Sequence, residues 1–236
     1  VHYPYQSFKY FVDLLREAAI DPKVKSIKIT AYRLANDSKV VNTLVNAARN
    51  GKKVIAVIEL QARFDEENNI HWSNILQENG VTVLHGKSGL KIHSKICLIT
   101  RKESGETKNY ACVGTGNFHE GTAQIYSDIS LFTADERIAN EVRRVFDIIE
   151  GALVSLDFEH LVLSPINLRN QLGVLIKTEI ENAKKGKPAF IQLKLNSLVD
   201  NDLIVKLYKA SNAGVKIKLI VRGICCLVPG VKGYSE

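Results

Sequence analysis

Methionine is missing from all 236 residues. A natural chain begins with methionine and rarely avoids it for so long, so this sequence is expected to be an excised piece of a longer protein. Cysteine is scarce: Cys97, Cys112, Cys225 and Cys226 are the whole set, and no two are spaced as CxxC. That spacing excludes a zinc ribbon or a dithiol redox motif and fits a reducing compartment. No stretch reaches about 18 uninterrupted apolar residues, which leaves no candidate membrane-spanning helix in the sequence. The first residues lack the basic-then-apolar layout of a signal peptide. No GxxxxGK[ST] loop occurs and no GxGxxG opens a helix, so any nucleotide must be held in some other way.

What is present is the composition of a globular protein, 45% apolar and 24% charged, with enough length for one large domain or two modest ones. A formal charge of +7 favours an anionic partner such as a nucleotide, a phosphate polymer or nucleic acid. A lysine excess is also ordinary for a solvated surface. Strand-like and helix-like segments alternate, the mark of an α/β domain. "SFKYFVDLLREAA" carries Phe8, Phe11, Val12 and Leu15 on one helical stripe, and "SKVVNTLVNAARNG" reads as a helix from Ser38 to a C-terminal Gly51. "KVIAVIEL" is a continuous apolar run, as in a strand buried on both faces. "DERIANEVRRVFDIIEG" is a strongly periodic helix, and residues 151 to 166 look like a junction before a second helix-led unit.

That second unit repeats the first. With Gly51 set on Gly214, a shift of 163 positions, "VVNTLVNAARNG" falls on "LIVKLYKASNAG" and "KKVIAVIEL" on "VKIKLIVRG", and with a shift of 162 "KSIKITAYRL" falls on "KPAFIQLKLN". Repeats of this kind change the reading of the whole chain. The shift of 163 carries His93 to position 256, past Glu236.

The segment "GLKIHSKICLIT" reads as a strand from residue 89 to 100, with Lys91, His93, Lys95 and Cys97 on one side. A neutral imidazole can attack phosphorus and hold a phosphoryl group transiently, and its ordinary pKa of about 6.5 leaves neutral form available. Lysines two residues to either side disfavour the imidazolium and attract a polyanion. Asn117, in the glycine-flanked "GTGNF", is placed to orient the ring or to donate to a phosphoryl oxygen, and His119 lies close by. A histidine on a solvated strand face remains the alternative. Arg33 and Arg63 sit just past strand ends, where open parallel sheets collect ligands, and Arg222 falls at a comparable place in the repeat. Guanidinium groups match phosphate oxygens bidentately; surface ion pairs are the alternative for each. Asp65, Glu66 and Glu67 read best as the acidic start of a helix. Tyr126 is open to either base stacking or core packing.

The blocks "HYPYQSF", "AYRLANDSKVV", "ELQARFDEENNI", "GLKIHSKICLI", "GTGNF" and "LIVRGICCLVPGVKGYSE" together resemble the bacterial polyphosphate kinase 1 family, end to end. The resemblance implies an α/β fold with a phospholipase D-like mixed sheet flanked by helices. It assigns residues 1–160 to a first phospholipase D-like catalytic domain and residues 161–236 to the N-terminal part of a second, duplicated one. It implies reversible transfer of the ATP γ-phosphate to inorganic polyphosphate, with ATP/ADP and polyphosphate as partners, no nucleic acid partner, and Mg²⁺ as cofactor. It implies catalytic roles for His93, the phosphorylated residue, with Lys95 and Asn117. Arg33 and Arg63 match positions given to a Mg²⁺-phosphate site, and Tyr126 and Arg222 match nucleotide-binding positions. An arginine has no lone pair for a metal, so both read as gripping phosphates. The full-length protein is expected to be a homo-oligomer, cytoplasmic or peripheral to the inner membrane, and the present chain by itself to synthesise little polymer. The HxKxxxxD pattern of phospholipase D enzymes is broken at Thr100, which weighs against the rival phosphodiesterase. A non-catalytic polyphosphate-binding fragment is the second rival.

Overall fold

The computed structural model of this chain describes residues 1–59, 66–86 and 92–235. It divides into two compact units, one ending at Leu161 and one beginning at Val162. In the first, β1 (His2–Tyr3), α1 (Lys9–Ile20), β2 (Val24–Ala31), α2 (Lys39–Arg49), β3 (Lys53–Ile58), α3 (Glu66–Glu78) and β4 (Thr82–His85) precede β5 (Lys95–Glu103) and β6 (Glu106–Gly114). A 3-10 turn at Thr122–Gln124, β7 (Asp128–Thr133) and α4 (Glu136–Ile149) complete it. The second holds α5 (Leu168–Lys184), β8 (Phe190–Leu195), α6 (Asn201–Asn212) and β9 (Lys216–Val221).

Local chemistry sets these elements. Ser38 caps α2 by accepting from the Val41 N–H at 3.3 Å, and Gly51, at φ +76°, takes the left-handed turn that ends it. Asp135 caps α4 by accepting from the Arg137 N–H at 2.9 Å. The strands of the first unit form one mixed sheet among the described residues, in the order β1-β7-β6-β5-β2-β3-β4. β2, β3 and β4 run parallel, and β5, β6 and β7 are antiparallel to their neighbours. Phe11, Leu15, Leu44 and Leu76 from α1, α2 and α3 pack with Ile27, Ile29 and Ile58 on one face. Val142 and Phe146 of α4 pack with Val57, Ile96 and Leu98 on the other. Both faces are covered, which is why β3 reads as an unbroken apolar run. The mixed α/β class expected from the sequence is what the chain adopts.

The strand expected from residue 89 begins only at Lys95. Thr30 explains the boundary: its hydroxyl donates to the Ser94 carbonyl at 2.7 Å and accepts from the Ile96 N–H at 3.0 Å. A side chain thus replaces the next ladder bond beyond the Ile29–Cys97 pair, and Ile92, His93 and Ser94 lie outside the sheet. Lys95 is not on a solvated face beside His93; it is 7% exposed. Lys91 and Arg63 lie outside the described residues, as does Asp65.

In the second unit, α5 and α6 cover one face of a parallel β8–β9 pair, with Ile176, Ile191, Leu207 and Val215 in its core. The repeat is real in topology but slips by one residue: Ser26 pairs with Lys53, 27 positions on, whereas Phe190 pairs with Lys216, 26 positions on.

Candidate active site

The ends of β2, β5, β6 and β7 meet at one edge of the sheet. Tyr32 and Arg33 follow β2, His93 and Ser94 precede β5, the loop from Thr115 to Asn117 follows β6, and Asp128 opens β7. Ladder pairs bring these ends together, Lys95 opposite Gly114 and Gly114 opposite Ser130. The β2 exit is clamped by α3: Asn69 donates to the Tyr32 carbonyl at 3.0 Å, Asn68 to that of Leu34 at 2.6 Å, and the Trp72 indole to that of Ala35 at 2.9 Å. Three donors within little more than one turn of one helix therefore fix the backbone that carries Arg33.

His93 is exposed, and the Lys95 ammonium lies 2.9 Å from its Nδ1 and 3.1 Å from its Nε2. One nitrogen cannot stand in line with both ring lone pairs, so the ammonium sits over the imidazole face. Lys95 also donates to the His93 carbonyl. The Tyr32 ring meets the imidazole edge to face, centroids 4.7 Å apart at 71°. The same ring has the Lys95 ammonium 5.3 Å and the Arg33 guanidinium 5.9 Å from its centroid. Burial pushes the Lys95 pKa down to about 8; Asp128 opposes this and Arg33 reinforces it. Two cations and an imidazole are thus gathered around one phenol.

The "GTGN" loop is locked onto β7. Thr115 donates to Asp128 Oδ1 at 2.8 Å, and a Cβ on Gly116 would fall 2.3 Å from Asp128 Oδ2. Only glycine admits that carboxylate. The Asn117 side-chain oxygen is a buried acceptor without a hydrogen-bond partner among the described residues. His119 is accounted for structurally: its Nδ1 accepts from the N–H groups of Gly121 and Thr122 at 3.1 and 3.2 Å and starts the 3-10 turn. Tyr126 follows that turn and is 45% exposed, so its ring is not in the core. Thr100, where the hydrolase pattern has a carboxylate, donates to Asn109 Oδ1 at 2.9 Å. In the second unit, Arg222 follows β9 directly and donates from Nε to Asn196 Oδ1 at 3.0 Å.

His93, Lys95 and Arg33 are therefore brought together. Tyr32 and Asp128 were not anticipated. The signals for them were slight: an aromatic between a strand end and an arginine, and a glycine whose missing side chain makes room for an acid. Among the described residues no group of three or more His, Cys, Asp or Glu side chains is placed to hold a metal ion. Arg33 has no lone pair to give a metal, and its guanidinium suits the phosphate oxygens expected of it.

Residues 1–154 match the family model described as polyphosphate kinase C-terminal domain 1, and residues 161–236 match polyphosphate kinase C-terminal domain 2. A polyphosphate kinase of Vibrio cholerae is 57% identical over the whole chain, and one of Escherichia coli is 52% identical over the same span. In each case the chain spans 34% of the relative's length. A crystal structure of polyphosphate kinase from Porphyromonas gingivalis superposes with a TM-score of 0.89 at 44% identity, covering 99% of this chain and 39% of that one.

Proposed function

This chain belongs to the polyphosphate kinase family, and on that premise we propose that the protein carrying it moves the terminal phosphate of ATP onto inorganic polyphosphate, reversibly, through a phosphorylated His93. The observation that supports this most directly is the seat of the imidazole: exposed, with an ammonium against its face and a guanidinium close by. Those cations draw in phosphate. An unprotonated ring nitrogen attacks the γ-phosphorus; the N–P bond forms as the bond to the departing ADP oxygen breaks. A terminal oxygen of the polymer then attacks the same phosphorus, and the N–P bond breaks. Arg33 and Lys95 neutralise charge on the equatorial oxygens, the main requirement in phosphoryl transfer. Asn117 offers its buried acceptor to an N–H in the site. Arg63 grips phosphate, and Tyr126 and Arg222 bind the nucleotide. The same reading gives Mg²⁺ arriving with the nucleotide, a homo-oligomeric full-length protein in the cytoplasm, and no role for nucleic acid. Among the described residues no helix is long and apolar enough to cross a membrane.

The test is His93→Ala in the full-length protein. Acid-labile protein-bound phosphate from γ-labelled ATP should vanish, and polymer synthesis and its reversal should vanish with it. Labelling that survives the substitution overturns the proposal.

A further inference from the structure

A site built to receive a polyanion has a problem before the substrate arrives. Its cations repel one another; Asp128 offsets this for Lys95, but further carboxylates among them would also repel the phosphates. Tyr32 offers a different solution. Its π face attracts cations electrostatically, yet it adds no net charge. Lys95 and Arg33 both lie within 6 Å of its ring centroid, at 5.3 and 5.9 Å. The imidazole packs edge to face on the same ring, a geometry that aromatic pairs prefer. The ring itself is half-buried, and Asn69 holds its backbone carbonyl. The ammonium over the imidazole and the phenol beside it leave His93 little freedom to rotate.

We propose that Tyr32 is a positioning residue for His93, its ring acting as an uncharged hub that holds Lys95 and Arg33 in place and fixes the imidazole for attack. This rests on the phosphohistidine reading above and deepens it. The hub works through ring shape and quadrupole, not through the hydroxyl.

The experiment uses the full-length protein. Tyr32→Phe should leave phosphoryl transfer within about twofold of the parent, whereas Tyr32→Leu should lower kcat roughly ten- to a hundredfold with KM for ATP little changed. Pentafluorophenylalanine at position 32 keeps the shape but reverses the quadrupole, and should fall on the Leu side. Carbethoxylation of His93, followed by peptide mass spectrometry, reads the ring without reference to phosphate. It should quicken severalfold in the Leu and pentafluoro variants while His119 reacts at its parent rate. If Tyr32→Leu also quickens His119, the fold has loosened and the shape-preserving pentafluoro variant decides. A pentafluoro variant that phosphorylates like Tyr32→Phe, or a Tyr32→Phe protein that loses tenfold or more, overturns the inference. A His93→Ala protein that still becomes phosphorylated would instead sink the functional reading beneath it.

Discussion

Lys95 is 7% exposed, and an ammonium so placed pays for lost hydration at every pH where it stays charged. Burial is the main reason its pKa falls to about 8 from the 10.5 of an ordinary lysine. Between those values the unfolded chain binds a proton that the folded chain has released, so folding stability rises with pH across that window. Below about pH 8 the full cost is present. Lys95→Met removes it, and should stabilise the protein at pH 7 by about 1–3 kcal/mol while abolishing phosphate labelling of His93. The gain should shrink as pH climbs from 8 toward 10.5, as read from urea midpoints along that series. A Met variant less stable than the parent at pH 7 contradicts this. The alkaline limb of kcat/KM, which reports the free enzyme, should also fall near pH 8. The sequence made the His93–Lys95 pairing legible through its spacing. It could not show which way Lys95 turns, because strand alternation assumes a ladder that reaches His93, and Thr30 stops that ladder short.

At the scale of the element, α4 does more than cover a sheet face. Glu141 lies on its buried side, 6% exposed, and its carboxylate accepts from the N–H groups of Glu159 at 2.8 Å, His160 at 3.1 Å and Leu161 at 2.7 Å. Burial pushes the Glu141 pKa up, but these bonds and one from the His160 side chain outweigh it and hold the carboxyl below its ordinary value. Arg144, one turn on, donates to the Asp157 carbonyl at 2.8 Å and stacks over Phe158 at 4.6 Å. The run before Val162 is thus clasped to α4. Glu141→Gln turns an amide donor toward N–H groups and should cost about 2 kcal/mol. Exchange of the amides at 159–161 should quicken at least tenfold, with the centre of α4 unchanged; uniform protection across both would count against the clasp. Because the folded carboxyl is depressed, the clasp's contribution is present above the ordinary glutamate range and is lost only as pH falls through the lower folded value. The α4 helix was plain from its period, and 151 to 166 read as a junction. The clasp joining them was not, although one acid on the apolar stripe beside Ala139 and Val142 was its visible trace.

For the whole molecule, the internal repeat sets up a comparison within a single chain. The sequence pattern of β3 recurs in β9 with the shift of 163, but burial does not follow it: Val57 is 2% exposed and its counterpart Ile220 is 67% exposed. In the first unit α4 covers the face on which Val57 lies. In the second, Phe190, Gln192 and Lys194 of β8 and Lys216, Lys218 and Ile220 of β9 stand exposed at alternating positions, and among the described residues no layer covers that face of the two-stranded sheet. Apolar periodicity reports which face a strand can bury, not whether a partner layer is there to bury it, and this is why the repeat was readable and its unequal packing was not. Two strands with a single covered face are marginally stable, and regions with few buried contacts open at lower free energy. In this chain the amides of Lys216–Val221 should therefore exchange at least tenfold faster than those of Lys53–Ile58, and urea should unfold the unit beginning at Val162 before the one ending at Leu161. Mass-resolved exchange of the two peptides side by side makes the measurement, since their sequences align residue for residue. Equal protection of β3 and β9 would mean that the open face of β8 and β9 costs nothing, and that the core of Ile176, Ile191, Leu207 and Val215 alone holds the second unit as firmly as two covered faces hold the first.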